Sequence, residues 1–173
     1  MPGNPQERLL VNLQAAHQVY QHLLELAERK RLHIVHNDLE ALRRDIEAEQ
    51  RLAAMGASLN SEREALHREC CAALHVKAGA KAPLGAAATL EDLCRAMPQE
   101  LAQRFSRQRV ALRRTLEQLL RANRANAFLV NNSLDLMQGL LTALFGGEKI
   151  YAYGPRGART RTEYSMRSLD TQA

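Results

Sequence analysis

The run from Pro98 to Phe145 constrains the fold of this chain more than any other part of the sequence. After Pro98 it contains no further proline, and apolar or small residues recur at alternating spacings of four and three. A mean spacing of about 3.5 residues is typical of a helix that forms a coiled-coil-like interface. At about 1.5 Å per residue such a helix is about 72 Å long. It cannot bury its seam against itself, so we predict that earlier helices pack on it. The seam is Leu116, Leu120, Asn123, Ala127, Val130, Leu134, Met137, Leu141 and Leu144.

Two earlier segments also have a helical period, from about Gln6 to His36 and from about Asp38 to His75. Between them, Asn37 followed by Glu40 has the pattern of a capping box. Whether Asn37 marks a reversal or a kink stays open at this point. The first seam is Leu9, Leu13, Ala16, Tyr20, Leu23 and Ala27. The second is Leu39, Leu42, Ile46, Met55, Leu59 and Leu66.

The remaining segments complete the architecture. Residues 76–88 have no hydrophobic period and contain two glycines and a proline, which predicts a linker. Thr89 with Asp92 predicts the cap of a short helix over residues 90–96, and Pro98 suits the first turn of the next helix. Gly146-Gly147 ends that helix, and the polar, basic residues 148–173 predict a flexible tail.

We therefore predict an all-α protein, an antiparallel bundle or coiled coil of three long helices plus one short helix. The expected helices cover residues 6–36, 38–75, 90–96 and 98–145. Residues 1–147 then form a single helical domain, and residues 148–173 form the basic tail. A content of 46% hydrophobic residues with 4% aromatics and no tryptophan agrees with long amphipathic helices.

Cellular location is predicted from two absences in the sequence. The first residues do not have the pattern of a secretory leader, and no window is apolar enough to span a membrane, which predicts a cytoplasmic protein. Three cysteines, Cys70, Cys71 and Cys94, form no disulfide framework, and we expect buried or half-buried thiols.

The sequence offers little for catalysis or for metal binding. His33 and His36 share a helical face, and Glu64 with His67 forms one Glu-x-x-His, but a di-iron bundle needs two such motifs and zinc needs three or four ligands. No nucleophile motif or phosphate-binding loop is present. We predict no enzymatic activity, no metal, no cofactor and no small-molecule substrate.

Seven arginines lie between residues 104 and 124 with Glu117 as the one acidic residue among them. They fit a solvated face, phosphate contacts of a nucleic-acid-associated protein, or an acidic protein partner. Because no aromatic residues interleave with them for base stacking, a solvated face is the simplest interpretation. The arginines are Arg104, Arg107, Arg109, Arg113, Arg114, Arg121 and Arg124.

From Asn123 onward the long helix is apolar on more than one face. Beside the seam, Phe128, Leu129, Leu136, Leu140 and Phe145 point in other directions, and a small bundle covers only one stripe. The surplus predicts a surface that accepts another helix. Burial in a homodimer, or a purely structural coiled-coil dimer, stays an open alternative.

In this region the chain resembles the FlgN family of flagellar type III export chaperones. The resemblance covers residues 9–157 and includes the break at Asn37. The residues that carry it are Asn123-x-x-Asn126-x-x-Leu129-Val130-x-x-Ser133-Leu134, a leucine-rich stretch, a glycine pair and Tyr153-Gly154-Pro155-Arg156-Gly157.

The resemblance implies a non-enzymatic cytoplasmic chaperone. Such proteins bind the hook-associated proteins FlgK and FlgL through the end of the long helix, prevent their early assembly and deliver them to the export gate component FlhA. Arg156 and the basic extension after Gly157 depart from the family pattern. The implied partner-binding residues are Asn123, Asn126, Leu129, Val130, Leu134, Met137, Leu141, Leu144, Tyr151 and Tyr153.

Overall fold

The structure is a computed structural model that describes residues 4–76, 88–145, 152–153 and 159–160. It is all-α apart from one pair of two-residue strands, and each helix begins and ends within two residues of its expected bounds. The elements are α1 (Pro5–Val35), α2 (Leu39–Ala73), α3 (Leu90–Ala96), α4 (Gln99–Phe145), β1 (Ala152–Tyr153) and β2 (Arg159–Thr160). The strands β1 and β2 pair antiparallel.

The chain reverses between α1 and α2, and Asn37 makes the reversal possible. Asn37 has a φ of 54°, in the left-handed region that asparagine tolerates better than most residues. The amides of Asn37 and Asp38 donate to the carbonyls of Ile34 and His33, the bond pattern of a Schellman C-cap. The expected capping box at Asn37 is wrong, because Asp38 is the N-cap of α2 and accepts from the amide of Ala41 at 3.0 Å.

Ion pairs and hydrogen bonds along the α1–α2 contact show that these helices are antiparallel. Near the reversal, the Arg29 guanidinium contacts Asp45 at 2.6 Å. At the far end Arg8 lies 3.2 Å from Glu69. Between them the Asn12 side chain donates to the carbonyl of Leu59 at 3.2 Å. The early half of α1 therefore packs on the late half of α2.

The long helix α4 runs parallel to α1, as the order of three polar contacts shows. The Gln108 side chain donates to the carbonyl of Leu13 at 3.3 Å. His17 Nε2 and Thr115 Oγ1 lie 3.0 Å apart. The Asn126 amide donates to the carbonyl of Ala27 at 2.7 Å. Over residues 4–126 the three long helices thus run up, down and up, which agrees with the expected bundle.

The larger part of the core lies where α3 meets the long helices. Phe105 and Leu93 are fully buried there with Leu9, Leu66 and Cys70, so every helix contributes to this cluster. A second, smaller cluster of Val19, Leu23, Ala27 and Leu119 lies farther along α1 and α4. Thr89 and Asp92 form the reciprocal capping box that starts α3, which confirms that prediction.

The side of α4 that faces α1 differs from the expected seam. Leu116 is half-buried, whereas Leu120 and Asn123 are exposed. Phe105 is fully buried, and the residues that follow it at heptad spacings also face inward. We call these residues the interface stripe: Phe105, Gln108, Leu112, Thr115, Leu119 and Asn126.

By internal contacts the chain separates into two compact units, residues 1–126 and residues 127–173. The first contains both core clusters. The predicted linker lies mostly, and the predicted tail almost wholly, outside the described residues. Within the described part of the chain, no helix is long and apolar enough to cross a membrane.

We expect Phe105→Ala to lower the free energy of unfolding by about 3–5 kcal/mol, because it removes a 0% exposed ring from the larger cluster. Phe128→Ala is the matched control, since Phe128 is 65% exposed, and should change stability by about 0.5 kcal/mol or less. Urea unfolding of both variants measures the difference. Equal losses would contradict the assignment of the core.

A second prediction concerns Asp45, which is buried beside Arg29 and 3.4 Å from His33. The hydrogen bond from Arg29 lowers the pKa of Asp45 despite burial. A lowered folded-state pKa gives stability that is complete above the unfolded pKa of about 3.9 and is lost as pH falls through the folded pKa. Because Arg29 is about half exposed, we expect Asp45→Asn to cost about 1–2 kcal/mol at pH 6 and progressively less in acid.

The measurement is urea unfolding of the parent chain and of Asp45→Asn between pH 6 and pH 2. Asp135→Asn, at an exposed carboxylate with no ion pair among the described residues, is the control and should follow the parent at every pH. A constant difference between the parent and Asp45→Asn across this range would contradict the prediction.

Candidate partner-binding surface

The last part of α4 carries a concentration of exposed apolar side chains. Between Ala127 and Leu144 none of the described side chains is buried, and Leu129 is half-buried. The large apolar side chains of this segment that follow Leu129 are exposed by 38–76%. With Leu129 they form what we call the apolar face: Leu129, Val130, Leu134, Leu136, Met137, Leu140, Leu141 and Leu144.

The apolar face covers about half of the helix circumference at about 100° per residue. A helix that packs on a core normally shows an apolar stripe of about 100° or somewhat more. The opposite half of the segment is mostly polar, with Asn131, Asn132, Asp135, Gln138 and Thr142, although it also carries the exposed Phe128. The segment is therefore amphipathic, with an apolar side broad enough for more than one neighbouring helix.

The apolar face offers a partner few polar groups that need a hydrogen-bond partner. The hydroxyl of Ser133 donates to the carbonyl of Leu129 at 2.9 Å, and that of Thr142 donates to the carbonyl of Gln138 at 2.8 Å. Both bonds stay within the helix. Asp135 is the one charged residue between residues 127 and 145, and it lies on the polar half. A partner therefore meets mainly hydrocarbon here.

Gly139 creates a notch at the edge of the apolar face. A Cβ at this position would meet no other heavy atom within 4 Å. With Asn132, Asp135, Leu136 and Leu140 it lines an open depression of about 570 Å³. The depression is shallow, and a side chain of a partner can approach the helix backbone there.

The predicted partner-binding residues divide into three groups. Val130, Leu134, Met137, Leu141, Leu144 and the half-buried Leu129 belong to the apolar face, and Asn123 is exposed. Asn126, in contrast, is 7% exposed and donates to the carbonyl of Ala27. Tyr151 lies outside the described residues, and of Tyr153 only its place in β1 is described.

Asn126 therefore belongs to the interior of the bundle. Its inward position follows the interface stripe, three heptads after Phe105. This period is visible in the sequence, but Gln108, Thr115 and Asn126 interrupt it with polar side chains, so periodicity of apolar residues alone does not find it.

The seven arginines of α4 are all exposed. Glu117 contacts Arg113 at 3.0 Å and Arg121 at 4.0 Å. Among the described residues no ion pair joins the other five arginines to an acidic group. These side chains give residues 99–126 a basic surface on the sides of α4 that the interface stripe does not use.

The three cysteines are at least half-buried in the bundle. Cys70 is buried, Cys71 and Cys94 are half-buried, and all three are free thiols, as expected. Burial raises the pKa of Cys70 to about 11, and it also raises the pKa values of Cys71 and Cys94. Cys71 Sγ lies 3.9 Å from His67. In the described part of the chain no three His, Cys, Asp or Glu residues gather as metal ligands.

One comparison with known proteins gives a match. The family model described as FlgN protein matches residues 1–161. No curated protein and no solved structure matches the chain.

We expect Asn126→Ala to destabilise the protein by about 1–2 kcal/mol relative to Asn123→Ala. Both changes replace asparagine by a better helix former in the same helix. Only Asn126→Ala removes a hydrogen bond to α1 from a buried site. Thermal and urea unfolding measure the difference, and equal stability of the two variants would contradict a role for Asn126 in the α1–α4 contact.

Proposed function

Because the chain belongs to the FlgN family of flagellar export chaperones, we propose that its apolar face captures client proteins before export. The proposed clients are the hook-associated proteins FlgK and FlgL, and the proposed docking component is FlhA at the export gate. The observation that supports this proposal is the apolar face itself, which is broad, exposed and contiguous on one helix.

The size of the apolar face supports a protein partner. Its seven exposed side chains offer on the order of 600 Å² of apolar surface, at the upper end of what a monomeric protein shows in one patch. A standard interface buries about 800 Å² on each partner. An amphipathic helix of the client laid along residues 129–144 buries an area of this order.

Such capture explains how the chaperone prevents early assembly of its client and how it can later release that client. Covering the apolar side of a client helix removes the surface through which the client would assemble or aggregate. Because the contact is mainly hydrocarbon and almost uncharged on this side, it selects amphipathic helices by shape and is released without breaking buried ion pairs. No catalytic step is required in this proposal.

The exposed arginines favour one alternative, a nucleic-acid-associated protein. Phosphate binding releases counterions and weakens steeply with salt, whereas capture on an apolar face changes little. Titration of the chain with duplex DNA, with RNA and with a C-terminal segment of FlgK at about 50 and about 200 mM salt separates the two. Binding of nucleic acid alone, with a steep loss at the higher salt concentration, would replace the chaperone proposal.

The direct test uses the double variant Leu134→Gln with Leu141→Gln. Glutamine keeps the helix propensity and removes apolar area from one side of the apolar face, midway along its length. We expect affinity for the FlgK segment to fall about tenfold or more, which corresponds to about 1.4 kcal/mol or more, with little change in melting temperature. Isothermal titration calorimetry and circular dichroism measure the two quantities.

The control for this test is Val110→Gln. Val110 is 62% exposed on the same helix but lies outside the apolar face. The Val110→Gln variant should bind the FlgK segment with the same affinity as the parent chain. Unchanged affinity of the double variant, or equal losses in the double variant and the control, would overturn the proposed binding surface.

A further inference from the structure

Six residues of the last part of α4 form a seam whose spacing is the same in both chain directions. Their spacings are three, four, three, four and three. An antiparallel copy of this seam can therefore meet it layer by layer around a two-fold axis. The six residues are Ala127, Val130, Leu134, Met137, Leu141 and Leu144, and we call them the six-residue seam.

The side-chain sizes in this seam fit the antiparallel arrangement. Ala127 faces Leu144, Val130 faces Leu141 and Leu134 faces Met137, so the smallest side chain is paired with a large one. A parallel arrangement would place Ala127 on Ala127 and leave a gap in that layer, and gaps lower packing stability. The side-chain volumes therefore favour antiparallel pairing of the two helices.

The positions that flank the seam impose no charge repulsion. In a coiled coil these are the e and g positions, and here they are Asn131, Ser133, Gln138 and Leu140. Asp135 lies on the polar half of the helix, away from the seam. All six seam residues are exposed, and five of them belong to the apolar face, which offers on the order of 600 Å² against about 800 Å² for one side of a standard interface.

We infer that, in the absence of a client, two copies of this chain pair through the six-residue seam as antiparallel helices. Five of these residues, all except Ala127, belong to the proposed client surface, so self-association and client capture exclude each other. This second statement rests on the proposed function. The first statement concerns the chain alone and does not depend on it.

Sedimentation velocity of the full chain over a range of concentrations tests the pairing. We expect a reversible monomer–dimer equilibrium. Leu134→Gln with Leu141→Gln should raise its dissociation constant about tenfold or more, and Val110→Gln should leave it unchanged. A parent chain that stays monomeric at all concentrations, or a dimer that the double variant leaves intact, would overturn the inference.

Disulfide trapping tests the direction of the helices. The positions of the two variants used, Ala127→Cys and Leu144→Cys, lie about 25 Å apart along one helix, at about 1.5 Å per residue. A mixture of the two variants should form a disulfide-linked dimer, and each variant alone should not. The unsubstituted chain measures the background from Cys70, Cys71 and Cys94. Linkage within each variant alone, with the two homodimers but no linked mixed dimer in the mixture, would show a parallel pair and overturn the inferred register.

Competition is tested by adding the C-terminal segment of FlgK to the dimer. We expect the dimer to be replaced by a complex of one chain with one segment. A complex that contains two chains and the segment would overturn the exclusion. If the segment does not bind at any chain concentration but the mixture of Ala127→Cys and Leu144→Cys still forms the linked dimer, the proposed function fails and the pairing stands. If the segment binds a chain that never dimerises, the inferred pairing fails and the proposed function stands.

Discussion

The length of α4 is the constraint on which the rest of the structure depends. It has 47 residues, whereas α1 has 31 and α2 has 35. A shorter antiparallel pair of helices cannot cover a helix of this length along its whole extent, and it covers one stripe at most. Among the described side chains of α4 the last buried one is Asn126, and the large apolar ones that follow Leu129 are exposed.

Polar contacts determine how α4 is aligned along α1. The bonds from Gln108 to Leu13 and from Asn126 to Ala27, with the contact of Thr115 to His17, each join one position of α4 to one position of α1. Apolar contacts alone tolerate a shift by one heptad, but such a shift would separate the side chains of Thr115 and His17. A buried asparagine in a helical interface stabilises less than a well-packed apolar side chain would, but it specifies alignment. Here it also fixes which residue of α4 is the last to be buried.

The distribution of the two stripes on α4 agrees with the proposed function. The interface stripe is more polar than the apolar face and faces α1, while the apolar face is left exposed. A chaperone that used its most apolar helix face in its own core would have none for a client. The same exposure makes pairing with a second copy favourable, so the antiparallel pair protects in the free protein what the client covers in the complex.

The sequence by itself determined the helices, because Pro98, the Thr89–Asp92 cap and the breaks after His36 and His75 act locally on the backbone. It also determined that the end of α4 is apolar on more than one side. Only the tertiary structure decided which side faces inward, because two neighbouring stripes share a heptad spacing and the choice depends on Phe105 reaching the cluster of Leu9, Leu66 and Leu93. The same holds for Asn126 and Asn123, which look alike in the sequence. Asn126 lies on the interface stripe with Phe105 and is buried against Ala27. Asn123 lies off that stripe and is exposed.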